Sequence, residues 1–269
     1  MNRGSEWRKW DLHIHTPGTA KNDQYGNSDD VWEKYIDALE KSDVKVFGIT
    51  DYFSMDNYYK VLQFQAEGRL DGKTLLPNIE MRITPVTKSG TAINIHAIFD
   101  PTLTKDEIER EFFSFLKMKS GDETYSCTRP QLLSFGRKLA NDNSYPEKAA
   151  IKKAIGEFIV PFEELHDILS KKFFDNRVIV ALSGKSQDGL SGLLNTDCNT
   201  HTLRKQIGRM ADVILSSNAK DIAYFLGESK DTKETVIATY RSLKPCIIGS
   251  DAHSLDKVGV FPNDRITWI

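Results

Sequence analysis

Hydrophobic positions along the chain follow two alternating periodicities. Short runs rich in valine and isoleucine, typical of buried strands, occur at 9–15, 44–50, 75–80, 92–99, 177–183 and 245–249. Apolar stripes with the three- and four-residue spacing of helices occur at 30–41, 55–67, 106–119, 130–140, 162–172 and 201–215. Strands that alternate with helices are typical of βα units, so the pattern predicts an α/β fold with a parallel sheet.

The segment 121–161 interrupts this alternation. It is polar and contains a cluster of three lysines, Lys148, Lys152 and Lys153. We interpret it as a helical insertion over one face of a single domain that spans residues 1–269. A chain of 269 residues, 39% of them hydrophobic, has the size and apolar content of one α/β barrel.

Charge and cysteine content narrow the class of protein. The formal net charge of −2 gives no general attraction for a polyanion, so any contact with nucleic acid would have to be local. The three cysteines, Cys127, Cys198 and Cys246, are odd in number and widely spaced, which argues against a disulfide framework. No apolar run approaches about 18 residues and no signal peptide is evident. These features predict a cytoplasmic protein without a membrane partner.

Two short patterns near the ends of the chain contain half of its six histidines. His13 and His15 follow the first strand-like run, and Asp251 and His253 follow the last. In an extended chain, residues two apart project to the same face, so each pair offers two ligands to one point. A single pair is more typical of a polar strand face. Two pairs favour a divalent transition metal, for which imidazole and carboxylate are suitable ligands.

Further polar residues stand where the other predicted strands end. Asp51 ends the second strand, Glu80 the third and His96 the fourth, while Ser183 and Lys185 follow the fifth. In a parallel barrel the carboxyl ends of the strands meet at one rim, where barrel active sites are built. The sequence therefore predicts that these side chains converge with the histidine patterns.

These motifs, in this order, resemble the PHP (polymerase and histidinol phosphatase) domain. The resemblance covers most of the chain, through His13-x-His15, Gly48-Ile49-Thr50-Asp51, Glu80, His96 and Gly249-Ser250-Asp251-Ala252-His253. It implies a distorted (βα)7 TIM-like barrel with up to three metals at its C-terminal rim, and an enzyme that hydrolyses phosphoesters.

The amino-acid sequence at both ends of the chain is similar to that of a narrower group, the N-terminal PHP domain of TrlF-type proteins. The similar segments are 3–19 and 266–269. In that group a large AAA/SMC-like ATPase follows the PHP domain, so the resemblance implies an ATPase partner. This chain has no Gly-x-x-x-x-Gly-Lys-[Ser/Thr] loop. We therefore expect the ATPase to be a separate chain or another part of a longer polypeptide.

Only some of the family's metal ligands have counterparts in this chain. The resemblance implies that one metal is held by His13, His15, Glu80 and Asp251, and that Glu80 bridges to a second metal bound by His96. A further histidine of the family would fall near Ser183, where this chain has none.

A third metal of the family would also lack ligands. The histidine expected after Asp51 is Tyr52 in this chain, and the nearest candidates after the first histidine pair are Lys21 and Asp23. His253 remains for this site. We expect one or two metal ions per chain, and the ligand types admit zinc, manganese or iron.

Two functions follow as hypotheses. The first is a metal-dependent phosphoesterase acting on phosphodiester bonds in nucleic acid or nucleotides, with nuclease activity coupled to the ATPase. Lys185 or Lys21 would replace a missing cation at the phosphate, and Asp51 would hold a ligand imidazole by a hydrogen bond. The second is a degenerate module that keeps one metal and binds nucleic acid or nucleotide in a regulatory role. The intact ligands around the first metal favour the enzyme, for which the resemblance implies a role in nucleic-acid processing or defence against foreign genetic elements. The missing histidines at Tyr52 and Ser183 favour the module.

Other polar residues admit two interpretations. Cys198 and His201 have the spacing of half a zinc site, but no second pair completes it, and a helix start is the simpler interpretation. The basic residues Arg204, Lys205 and Arg209, like Lys171 and Lys172, are either solvated helix faces or a local positive surface for a nucleic-acid substrate.

Overall fold

The structure, a computed structural model, describes residues 6–193 and 198–269, with only the backbone of residues 198–200. Its strands are β1 (Lys9–His15), β2 (Val46–Tyr52), β3 (Thr74–Val86), β4 (Ala92–Phe99), β5 (Lys117–Ser120), β6 (Glu123–Ser126), β7 (Val178–Ser183), β8 (Val213–Leu215), β9 (Cys246–Ile247) and β10 (Thr267–Trp268). Its α-helices are α1 (Val31–Lys41), α2 (Asp56–Ala66), α3 (Lys105–Ile108), α4 (Arg129–Ala140), α5 (Glu147–Glu157), α6 (Phe162–Leu169), α7 (Cys198–Met210), α8 (Ala219–Phe225) and α9 (Lys233–Tyr240). Among these described residues, no helix combines the length and the apolar content needed to cross a membrane.

A mixed eight-stranded sheet organises the fold, in the order β10-β1-β2-β3-β4-β7-β8-β9. The sheet curls into a nearly closed barrel, because Ile14 of β1 forms a parallel bridge with Ala252, just beyond β9. On β10, the hydroxyl of Thr267 accepts a hydrogen bond from the N–H of Ile248 at 2.8 Å, which links the two edges of the sheet. The mixed α/β character and barrel-like closure agree with the fold class predicted from the sequence.

The prediction of a parallel sheet is wrong at two strands. β10 runs antiparallel to β1. β4 runs antiparallel to both β3 and β7, and it pairs His96 directly with Glu80. Neither residue ends its strand, because β3 continues to Val86 and turns back as a hairpin into β4. Glu80 nevertheless lies beside Tyr52 at the end of β2. The side chains of Glu80 and of its partner His96 therefore still lie at the level of the rim.

Other differences concern short elements. The predicted helix at 106–119 ends early, since α3 continues as a π-helical turn over Glu109–Phe113 and the chain then enters the β5–β6 hairpin. The predicted helix at 201–215 ends at Met210, and its last residues form β8. The segment 121–161 does contain two helices, α4 and α5, which pack on each other. That the segment is an insertion remains a prediction.

The core lies between the sheet and the surrounding helices. Every residue of β2 is buried, and α1 contributes Tyr35, Ile36 and Leu39 from one face. Burying apolar area of this kind supplies most of the stabilisation, at about 25 cal/mol per Å². The core therefore fixes β1, β2 and β3 relative to one another, and these strands hold the candidate ligands.

Gly48 lets β1 and β2 approach closely at the centre of the barrel. A Cβ atom added to Gly48 would lie 2.3 Å from the carbonyl oxygen of Leu12, which is backbone and cannot move independently. That carbonyl also accepts a hydrogen bond from the side-chain amide of Asn78 at 2.7 Å. Any larger residue at position 48 therefore disturbs the strand that carries both N-terminal histidines.

We expect Gly48→Ala to lower the free energy of unfolding by about 1–3 kcal/mol, the usual cost of overpacking a core. Gly156→Ala is the matched control, because Gly156 lies in α5 and an added Cβ would meet nothing within 4 Å. Chemical denaturation of both variants provides the measurement. An unchanged stability of Gly48→Ala would contradict the close approach of β1 and β2.

Candidate metal centre

β1 delivers two imidazoles to the inside of the rim. His13 and His15 project together because one residue separates them, while Leu12 and Ile14 are buried in apolar clusters. The Nε2 atoms of the two histidines lie 3.1 Å apart. The side chain of His15 is fully buried, and its Nδ1 lies 3.3 Å from the hydroxyl of Thr19. The two Nε2 atoms therefore face one common point.

Two carboxylates from distant parts of the chain complete this group. On β3, the Oε2 atom of Glu80 lies 3.2 Å from Nε2 of His13 and 3.2 Å from Nε2 of His15. Oδ1 of Asp251 lies 3.3 Å from the same atom of His13 and 3.6 Å from that of His15. The backbone N–H of Asp251 donates to the carbonyl of His13, which fixes this residue against β1.

The spacing of these four atoms fits a metal ion. Four ligands placed tetrahedrally at about 2.0–2.1 Å from zinc are separated from one another by about 3.3–3.4 Å. The two histidine Nε2 atoms lie 3.1 Å from each other and 3.2 to 3.6 Å from the two carboxylate oxygens, which brackets this value. His13, His15 and Asp251 also satisfy the geometric requirement for a metal-binding group, as do His13, Glu80 and His96. The donor set and its geometry therefore suit a divalent cation.

Burial and local charge set the protonation of the ligands. Burial alone would raise the pKa of Glu80, but hydrogen bonds from His13 and His15 outweigh it and hold that pKa well below its usual value. Burial lowers the pKa of His15 to about 4 and that of His96 to about 3, so both are neutral at physiological pH. Neutral imidazoles and ionised carboxylates are the forms that bind metal.

His13 is the exception in this group. Burial lowers its pKa, but the charges of Asp251 and Glu80 outweigh that effect and raise it to about 9. The proton on His13 offsets part of the negative charge that the two carboxylates bring into a buried site. A cation entering the site would take over this role and displace the proton.

A second, less complete set of ligands lies beside the first. Nε2 of His96 is 4.0 Å from Oε2 of Glu80, and the ring centroids of His13 and His96 are 4.4 Å apart. Nδ1 of His96 lies 3.1 Å from the side-chain oxygen of Asn78, which orients the ring. The structure thus brings His96 to the same centre, although this set has fewer ligands than the first.

His253 and Tyr52 both stack on His15. The centroid separations from His15 are 4.0 Å for His253 and 4.9 Å for Tyr52, with nearly parallel rings in both pairs. Nε2 of His253 also lies 3.5 Å from Oδ1 of Asp251. His253 is therefore close enough to join a neighbouring ligand set, whereas Tyr52 provides an aromatic face beside His15.

The metal centre opens into a cavity of about 340 Å³. Lys185 lines this cavity together with His13, Glu80, His96, Asp251 and His253. No carboxylate in the described part of the chain pairs with the Lys185 ammonium group. Ser183 directs its hydroxyl to Oδ1 of Asp188 at 3.0 Å, and the N–H of Lys185 donates to the Ser183 hydroxyl at 3.3 Å. The loop after β7 therefore places a free cation beside the candidate ligands.

Lys21 lies close to the site but does not line this cavity. Its Nζ atom is 5.9 Å from the ring centroid of Tyr52. Burial and the charge of Arg82 lower its pKa. Asp23, the other residue considered after the first histidine pair, accepts hydrogen bonds from the N–H groups of Gly18 and Tyr25. Asp23 therefore stabilises its own loop.

The expectation that Asp51 holds a ligand imidazole is wrong. Its two carboxylate oxygens accept hydrogen bonds from the backbone N–H and the side-chain amide of Asn57, at 3.0 and 2.9 Å. Burial raises the pKa of Asp51 to about 7 despite these bonds. Asp51 thus secures the first turn of α2 to the end of β2. The reason is that its side chain lies beside Asn57 in a different cavity from that of the candidate ligands.

Four residues near the site were not predicted from the sequence. Asn78 orients His96, and Asp188 lines the cavity beside Lys185. Oδ1 of Asp11 accepts a hydrogen bond from the N–H of Ser250 at 2.9 Å and so connects β1 to the segment that carries Asp251. Arg82 lies two residues beyond Glu80 and donates to backbone carbonyls at the end of α5. The spacing of two residues along β3 could have indicated Asn78 and Arg82, but no local pattern indicates Asp188.

The half zinc site suggested for Cys198 and His201 receives no support. The side chain of Cys198 lies outside the described residues. His201 is exposed and lines a different cavity, among α7, α8 and α9.

Comparisons with known proteins give only distant structural neighbours. No family model matches the chain, and a search of curated proteins finds no significant match. Among solved structures, a predicted metal-dependent phosphoesterase from Bifidobacterium adolescentis is similar over 97% of this chain and 92% of its own, with 14% identity and a TM-score of 0.47. PsfC from Pseudomonas syringae is similar over 95% of this chain and 80% of its own, with 14% identity and a TM-score of 0.45.

Metal binding should release a proton near neutral pH, because the raised pKa of His13, about 9, leaves it protonated at pH 7.5. Titration calorimetry with Mn²⁺ in two buffers of different ionisation enthalpy should detect about one proton released per ion. The apparent affinity should rise by up to about tenfold per pH unit and level off above the pKa of His13. Binding without proton release at pH 7.5 would contradict the charge assignment at His13.

Proposed function

We propose that this chain is a metal-dependent phosphoesterase that hydrolyses phosphodiester bonds in nucleic acid or nucleotides. One observation carries the proposal. Two imidazoles and two carboxylates converge at 3.1–3.6 Å on the wall of a cavity that also contains the unpaired cation of Lys185. This combination suits the binding of a phosphate beside a divalent ion.

The residues divide the chemistry between them. His13, His15, Glu80 and Asp251 would hold a divalent ion, with His96 available to a second. Bound there, such an ion would polarise phosphoryl oxygens and acidify water. Lys185 contributes a compact positive charge that neutralises a phosphate oxygen at the mouth of the site. His253 lies beside Asp251, with its Nε2 atom 3.5 Å from Oδ1, where it is available as a further metal ligand.

The proposal extends to the family, the location and the partner of the protein. We propose a PHP-type barrel of the (βα)7 kind that acts in the cytoplasm as a nuclease with an AAA/SMC-like ATPase. The residues that support it are the ordered motifs from His13 to His253 and the 3–19 segment, as described for the sequence.

A regulatory module is the second candidate function. Tyr52 and Ser183 stand where the family would supply nitrogen ligands, and neither offers a nitrogen to a metal. A module of this kind would bind one ion and a phosphate ligand without turnover.

The two functions are separated by metal content and turnover measured on the same samples. We expect Asp251→Asn to lose both bound Mn²⁺ and hydrolysis of bis(4-nitrophenyl) phosphate. Asparagine adopts the left-handed backbone of Asp251 (φ 52°) readily, so the fold is retained. Wild-type protein that binds metal but hydrolyses neither this ester nor RNA or DNA would favour the module and overturn the enzyme.

We expect Lys185→Ala to lower turnover by about 10², the usual cost of removing one charge-stabilising group, while metal content stays unchanged. Lys88→Ala is the matched control, because Lys88 is an exposed lysine that does not line the cavity. Elemental analysis and steady-state kinetics provide the two readouts. Equal loss of metal and turnover, or no loss of turnover, would exclude this role for Lys185.

A further inference from the structure

A second cavity, of about 750 Å³, lies among α7, α8 and α9 and contains none of the candidate metal ligands. Its volume is within the range of about 300–1,000 Å³ that is usual for ligand sites. Four basic side chains line it: Arg204, Lys205, Lys220 and Lys230.

Within the described residues, these four cations are not neutralised by ion pairs. Two carboxylates, Asp221 and Asp231, also line the cavity, and Asp221 accepts a hydrogen bond from the Ser216 hydroxyl at 2.6 Å. None of the four basic groups forms an ion pair with a carboxylate of the described residues. The Nε–H of Arg204 is buried and lacks a hydrogen-bond partner within the described part of the chain. Positive charge left unpaired in a concave site favours an anionic ligand.

Tyrosine rings form part of the same wall. Tyr240 is buried against Gly208, where an added Cβ would lie 2.6 Å from the ring. Its hydroxyl lies 3.4 Å from that of Tyr224, which is only partly buried. Tyr240 therefore supports Tyr224 from behind, and Tyr224 presents an aromatic surface beside the four cations. Basic groups combined with an aromatic ring that a base can reach are the usual means of binding single-stranded nucleic acid.

A trough of about 360 Å³ connects this cavity to the metal centre. It shares Lys185, Ser216 and Ser217 with the cavity of the metal centre. At its other end it shares Ser191 and Asp221 with the cavity among α7, α8 and α9. The connecting surface is thus continuous, with Lys185 at the junction and the four cations at the far end.

We propose that the trough and the α7–α9 cavity bind a single-stranded nucleic acid on one side of the phosphodiester that lies at the metal centre. The inference deepens the proposed function and rests on it, since it names the substrate class of that site. The backbone phosphates contact Lys205, Lys220 and Lys230, and a base stacks on Tyr224. A chain of phosphates explains why unpaired cations continue beyond the metal centre, which a phosphomonoester would not require.

The test measures binding directly, with fluorescein-labelled oligothymidylate and oligouridylate of about 12 nucleotides as probes. The protein is the full chain with Asp251→Asn, so that the probe is not cleaved. We expect Lys205→Gln/Lys230→Gln to weaken binding about tenfold at moderate salt. It should also reduce the slope of log affinity against log salt by about 1.4, since each single-strand phosphate contact contributes about 0.7. Tyr224→Leu should weaken binding about tenfold through lost stacking.

Lys148→Gln/Lys152→Gln is the matched control, because it removes the same charge from α5, beside a different cavity. Its binding should equal that of the parent protein. Unchanged binding in the Lys205/Lys230 pair and in Tyr224→Leu would overturn the inference, as would an equal loss in the control pair. Wild-type protein that hydrolyses bis(4-nitrophenyl) phosphate but binds neither oligonucleotide would refute this inference alone. Oligonucleotide binding without any hydrolysis would refute the proposed phosphoesterase alone.

Discussion

The structure depends on the convergence of four polar groups, three of which water scarcely reaches, while the side chain of the fourth, Asp251, is 41% exposed. Side chains of His15 and Glu80 are at most 3% exposed, and that of His13 is 14% exposed. Taking carboxylates out of water is costly unless a positive charge compensates them. The proton of His13 supplies part of that compensation, and a divalent ion would supply more. In this site, folding and metal binding therefore both require positive charge that compensates the carboxylates.

The surrounding fold meets this requirement through close backbone contacts. Gly249 packs against His13, where an added Cβ would lie 2.5 Å from the histidine Cβ. Asp11 joins β1 to Ser250, and Asn78 joins β1, β2 and β4 through its side-chain amide. These contacts bring Asp251 to within 3.3 Å of a histidine that lies far from it in sequence. Residues that are not themselves candidate metal ligands thus determine the geometry of the ligands.

Part of this arrangement could be predicted from the sequence, because two-residue spacing and strand ends are local signals. They indicated that His13, His15, Glu80 and Asp251 would meet, and the structure places both carboxylates within 3.6 Å of both histidines. The antiparallel direction of β4 was missed, because the predicted third strand stops at Glu80, whereas β3 continues to Val86 and turns back as a hairpin. The hydrogen bonds of Asp51 to Asn57 were likewise missed, because the direction of a side chain at a strand end depends on the neighbouring helix. The trough beyond Lys185 arises from loops and short helices whose mutual position no periodicity encodes.

The central claim is that these four side chains form one metal site. X-ray absorption spectroscopy of the full chain loaded with one equivalent of Zn²⁺ tests it most directly. We predict a first shell of two imidazole nitrogens and two carboxylate oxygens at about 2.0–2.1 Å, with outer-shell scattering from two imidazole rings. The His15→Ala variant should lose this shell. A first shell without imidazole scattering, or a spectrum unchanged in His15→Ala, would contradict the account.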